Sequence, residues 1–169
     1  CKPKAINPNA INRDEQFRFT FLKMEDKKLH WGARGEKTYG KYFVMKYENN
    51  GWVTEKVLEC NGKDGIHNYT YDPRFHSGSN KFKIRYLDIS GKIYFSNEVS
   101  YFSNIEEVSF YPKRVSSRIT FSRSVKYAIL DVYGKVLTQE RGESVDCSEL
   151  KSGIYYVSYD NKTEKFFKK

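Results

Sequence analysis

From Gln16 onward the apolar residues recur at every second position, the spacing a strand needs to bury one face and wet the other. Phe17, Phe19 and Phe21 alternate with Arg18 and Thr20. The alternation repeats in Lys28-Leu29-His30-Trp31 after a charged turn at Glu25-Asp26-Lys27. Composition points the same way, because 14 residues are Tyr and 12 are Phe while only four are Ala and seven are Leu. Helical bundles are thereby set aside, and the expected fold class is all-β.

Turn signals divide the pattern into short strands. The run from Tyr42 to Tyr47 ends at Asn49-Asn50-Gly51, where Asn-Gly predicts a hairpin, and Trp52 to Leu58 returns. Tyr69 to Tyr71, Lys81 to Leu87 and Lys92 to Tyr101 follow, with loops between them. Seven strands at about twelve-residue spacing predict a β-sandwich over residues 16–103. A second series covers Val108 to Tyr111, Arg118 to Phe121, Lys126 to Val132, Lys135 to Thr138, Gly153 to Tyr159 and Thr163 to Phe167. It predicts a small sandwich over residues 104–169 that is small enough to need packing against something else. Asp88-Ile89-Ser90-Gly91-Lys92 and Asp131-Val132-Tyr133-Gly134-Lys135 share an Asp-x-x-Gly-Lys turn, with Gly expected to supply a positive φ. Two Ig-like or fibronectin-III-like sandwiches in tandem are therefore expected.

Residues 1–15 carry no periodicity and suit a tether. Cys1 is not an initiating residue, so the reading is that signal-peptide removal leaves a lipid-attachment site at Cys1, as in bacterial lipoproteins, with truncation of a longer chain as the other possibility. Three cysteines without C-x-x-C spacing argue against a disulfide framework and a zinc site. The net charge of +9 is read as attraction to acidic partners or lipid headgroups. Nucleic acid is not expected, because the aromatics alternating with Lys81, Lys83 and Arg85 read as core.

Nothing in the residues suggests catalysis. There is no H-E-x-x-H, no G-x-S-x-G and no P-loop. His30 points away from the Trp31 face, and His67 and His76 are placed in loops. No metal or cofactor is expected. Cys147 reads as a small buried hydrophobe and Trp31 as core. Trp52, beside the hairpin turn, and Tyr155, Tyr156, Tyr159, Phe166 and Phe167, which exceed what one small core can bury, are the expected partner-binding residues.

Two stretches resemble known families. Leu29-His30-Trp31, Tyr42 to Tyr47 with Asn50-Gly51, Tyr69-Thr70-Tyr71-Asp72, Gly78-Ser79-Asn80, Phe82 to Arg85 and Tyr94 to Asn97 are similar to the fibronectin-type-III-like domain of secreted and surface proteins of the Bacteroidetes. Val108-Ser109-Phe110-Tyr111-Pro112, Ile129 to Val136, Val145 to Leu150, Gly153 to Val157 and Lys165 to Lys169 resemble the C-terminal sorting domain of type IX secretion cargo. In the opening motif, Lys113-Arg114 replaces the family's Asn-Pro. That resemblance implies export across the outer membrane, to the surface or the medium.

Taken with Cys1, these features give the expectation of a non-catalytic outer-membrane lipoprotein, an accessory or docking subunit of an envelope complex. The sorting-like module is then retained as a docking module. Its expected partners are other envelope or outer-membrane proteins. The alternative expectation is the C-terminal part of a type IX secretion cargo, an adhesin or hydrolase, that is secreted.

Overall fold

The computed structural model describes residues 16–63 and 65–169. Cys1 and the expected tether lie outside these residues. The described chain is all-β. In order, the strands are β1 (Arg18–Glu25), β2 (Lys28–Arg34), β3 (Lys41–Glu48), β4 (Gly51–Glu59), β5 (Ile66–Tyr71), β6 (Gly78–Leu87), β7 (Ile93–Phe95), β8 (Val99–Ser103), β9 (Phe110–Tyr111), β10 (Arg114–Val115), β11 (Arg118–Leu130), β12 (Val136–Asp146), β13 (Gly153–Tyr159) and β14 (Lys162–Lys168). They form a three-stranded sheet, β1-β2-β5, a five-stranded sheet, β4-β3-β6-β7 with β8 beside β6, and a six-stranded sheet, β10-β14-β13-β11-β12 with β9 beside β11.

By its internal contacts the chain divides into two compact units. One takes in the segments ending at Met45, Thr54–Pro73 and Phe82–Val99, and the other takes in Lys46–Val53, Arg74–Lys81 and Ser100–Lys169. In the first unit alternate residues of three strands point inward and are fully buried: Leu29, Trp31 and Ala33 of β2, Tyr42 and Val44 of β3, and Phe82, Ile84 and Tyr86 of β6. The rings interlock, with Trp31 edge-on to Tyr42 at 5.7 Å and Phe17 stacked on Tyr86 at 3.9 Å. Burying each of the large aliphatic or aromatic side chains among them contributes about 1.5–3 kcal/mol before entropy is counted.

The core of the second unit joins Val108, Phe110, Val115, Ile119, Phe121, Tyr127, Ile129, Val145, Cys147, Val157, Tyr159 and Phe166. Here the strands differ from the expectation. Arg118 to Phe121 and Lys126 onward form one strand, β11, whose pairing with β12 slips between Thr120 and Val125. The exposed polar run Ser122-Arg123-Ser124 looks like a loop in sequence, yet it is absorbed as a bulge that lets both halves of β11 feed one core. β12 extends to Asp146, well past Thr138, because it pairs with β11 over that whole length. The expected strand over Lys92 to Tyr101 is two strands, β7 and β8, separated by residues 96–98.

The turn chemistry is also sharper than expected. The β3–β4 hairpin turns on Asn49 and Asn50, with φ of 49° and 65°, while Gly51 opens β4. Asn tolerates the left-handed region, so two Asn fill both positive-φ sites of the turn and Gly is not needed there. The two Asp-x-x-Gly-Lys turns are near copies: Gly91 and Gly134 sit at φ 87° and 80°, and the Lys92 and Lys135 amides donate to the Asp88 and Asp131 carboxylates, both at 2.9 Å.

Candidate docking surface

Two clusters have the residue types of catalytic sites, and their geometry serves another purpose. In the first unit the buried carboxylate of Glu36 accepts hydrogen bonds from the Tyr42 hydroxyl at 2.5 Å, the Tyr69 hydroxyl at 2.7 Å and the Gly62 amide at 3.1 Å. Burial, and then the hydrogen bond to Glu36, push both tyrosines up, so they hold their protons and serve as donors. The cluster fastens the loop at Gly62 to β3 and β5. In the second unit Ser77, His76 and Asp160 are neighbours but not in the order a nucleophile needs. The Ser77 hydroxyl donates directly to Asp160 at 2.6 Å, and His76 uses Nδ1 on the Ser77 carbonyl at 2.7 Å. Burial pushes the His76 imidazole down and disfavours its charged form. His67, expected in a loop, lies in β5. Among the described residues no group of three His, Cys, Asp or Glu side chains is placed to hold a metal ion. Burial raises both described thiols, Cys60 and Cys147, which disfavours their thiolate forms.

The expected partner-binding aromatics separate by strand parity. On β13 and β14 the directly opposed pair Tyr155 and Phe166 faces inward, as does Tyr159. Phe166 is fully buried and Tyr159 is 3% exposed, so neither can meet a partner, which corrects that expectation. Tyr155 stacks on Phe166 at 5.7 Å and closes the core edge. The Tyr159 hydroxyl donates to Glu164, whose carboxylate also takes the Lys113 ammonium. Trp52 is half-buried, edge-on to Tyr47 at 5.4 Å, and belongs to the second unit through the segment Lys46–Val53.

Tyr156 and Phe167 face the other way, and the register shows what joins them. Phe167 opposes Ile154, and Tyr156 is flanked by Lys165 on one side and Leu130 on the other, with Val136 next across β12. Directly opposed strand residues share a face, so Phe167, Ile154, Tyr156, Leu130 and Val136 form one apolar strip on the outer face of the six-stranded sheet. Phe167 and Ile154 are each 41% exposed and Val136 is 48% exposed. Lys165 lies within the strip, its ammonium 5.3 Å from the Phe167 ring centroid in a cation–π contact. Beyond Leu130 the Asp131 turn presents Tyr133, 92% exposed, on a backbone pinned by its amide to Asp131 Oδ1 at 2.9 Å. Sequence parity already separates Tyr156 from Tyr155, but Leu130 and Val136 join them only through pairing across β11 and β12.

Residues 109–169 match the family of the secretion system C-terminal sorting domain. No curated protein matches the chain. Among solved structures, it is similar to dimeric latent PorU from Porphyromonas gingivalis, at 10% identity and a TM-score of 0.37, over 92% of this chain and 20% of that one. It is similar to a tetra-tandem repeat in the extending region of a large adhesion protein, at 14% identity and 0.34, over 90% of this chain and 46% of that one. It is also similar to the chicken CNTN1 FN1-FN3 domains, at 14% identity and 0.30, over 89% of this chain and 64% of that one. The chain thus spans a fifth to less than two thirds of the length of these structures.

Proposed function

We propose, from the type IX sorting domain that residues 109–169 provide, that the chain is exported cargo of a type IX secretion system and that this domain is its export signal. The match over residues 109–169 carries the reading. It favours the cargo expectation over that of a lipid-anchored accessory subunit. The surface best suited to recognition is the strip of Ile154, Phe167, Tyr156, Leu130 and Val136, because its side chains are outward and apolar and are not needed by the core. The cations beside it, Lys165 on the face and Lys135 at the turn, suit a partner that is apolar at its centre and acidic at its rim, which we assign to an outer-membrane component of the export machinery. The fibronectin-like strands of the first unit would travel with the signal as a non-catalytic module.

The test is expression of the full chain in a bacterium that has the type IX machinery and in a matched strain that lacks it. Appearance at the surface or in the medium only in the first strain supports the reading. Retention in the periplasm of both strains overturns it, as does acylation of Cys1 with the chain intact to Lys169. Ile154→Asp with Phe167→Asp should lower export by at least tenfold while leaving the thermal midpoint within a few degrees, since both side chains are outward.

A further inference from the structure

Asp160 and Asn161 form the two-residue turn between β13 and β14, with φ of 45° and 59°. A turn of that length closes through its own strands and requires no distant partner. Here both side chains reach far along the sequence. The Asp160 carboxylate is 3% exposed, and it accepts the Ser77 amide at 3.2 Å, the Ser77 hydroxyl at 2.6 Å and the Val108 amide at 3.1 Å. Arg123 stands 4.0 Å away, and its guanidinium also donates to the Glu106 carbonyl. Asn161 accepts the Asn49 amide of the β3–β4 turn at 2.8 Å. A carboxylate buried at a hairpin tip would destabilise the turn unless its oxygens were filled, and these donors fill them. Burial alone would raise the Asp160 carboxyl, but the hydrogen bonds from Ser77 and Val108, with the Arg123 charge, hold it below its ordinary value.

We infer that Asp160 is a positioning residue that ties the last hairpin of the sorting domain to residues 74–81 and, through Asn161, to the β3–β4 turn. The folded form of the export signal therefore depends on residues outside 109–169. All of these residues belong to the second compact unit, which takes in Lys46–Val53 and Arg74–Lys81 together with the C-terminal strands. The consequence for sorting rests on the export reading above. The tie itself does not.

The test uses the full chain. Hydrogen exchange at the Ser77 and Val108 amides should quicken at least tenfold in Asp160→Ala and less in Asp160→Asn, which keeps one accepting oxygen. Ser77→Ala and Asp160→Ala should be non-additive in chemical denaturation, as expected for two members of one network. Lys126→Ala, exposed on β11, should change neither readout. Exchange within twofold of the parent in Asp160→Ala, or additive destabilisation, overturns the inference. If Asp160→Ala does not fold, Ser77→Ala decides it: exchange at Val108 must quicken, and an unchanged rate sinks the idea. In the exporting strain, Ser77→Ala should lower export by the same factor as Asp160→Asn, and full export of both refutes the dependence of sorting on the tie. Failure of the parent chain to be exported would refute the export reading and leave the exchange result to judge the tie.

Discussion

At the scale of single residues, neighbours in sequence have opposite roles. Phe166 fills the core of the second unit and Phe167 lies on its outer face, so the same truncation has different consequences at the two positions. Phe166→Ala should cost about 3–5 kcal/mol by removing a fully buried ring and leaving a cavity, whereas Phe167→Ala should cost about 1 kcal/mol or less. Urea denaturation of the two variants measures this, and equal losses would show that the parity assignment is wrong. The acid limb of stability belongs to this scale as well. The Asp160 carboxyl has a lower value folded than unfolded, so its contribution is complete above the unfolded value and is lost as pH falls through the folded one. Glu164 adds to the same limb: burial would raise it, but the hydrogen bonds from Lys113 and Tyr159 lower it. The thermal midpoint should therefore drop on acidification below about pH 4.5, and less steeply in Asp160→Asn. Parallel slopes for parent and variant would contradict this. Cys147, 1% exposed and with its thiol raised, should resist alkylation at neutral pH until the protein unfolds, which timed labelling and mass analysis would show.

At the scale of elements, turns set where hairpins close and bulges shift the register, between Phe19 and Phe21 in β1 and between Thr120 and Val125 in β11 among others. The Asp131 turn holds Gly134 at φ 80° in open space, so Gly134→Ala meets no neighbour and is opposed only by the left-handed backbone. Its expected destabilisation is about 1–2 kcal/mol. Gly51 opens β4 outside the left-handed region, with nothing nearer than 4.0 Å to an added Cβ, so Gly51→Ala should be neutral or slightly stabilising. Thermal denaturation of the pair checks both signs, and a larger loss at Gly51 would return the turn to Asn50-Gly51. Most strands and most strand starts were legible from alternation and turn residues, but β10 was not, and β7 and β8 were read as one strand. The length of β12 and the continuity of β11 were not, because Ser122-Arg123-Ser124 is polar for the local reason that a bulge exposes it.

At the scale of the whole molecule, a net charge of +9 makes the chain repel itself and attract acidic surfaces. Most described ion pairs are on the surface, such as Lys23 with Glu25 and Lys41 with Glu59, and contribute little. Raising the salt from about 0.05 to 0.5 M should therefore raise the thermal midpoint modestly by screening the repulsion. A fall would mean that the ion pairs outweigh it. The sequence by itself determined the all-β class, the inward positions of Trp31 and Cys147, and the two Asp-x-x-Gly-Lys turns, because each follows from local period or local backbone preference. Only the tertiary structure decided that Tyr159 and Phe166 are core, that Leu130 and Val136 join Tyr156 and Phe167 on one face, and that Asp160 reaches Ser77. These depend on pairing between strands distant in the chain, and alternation along one strand states which residues share a side but not which side is covered.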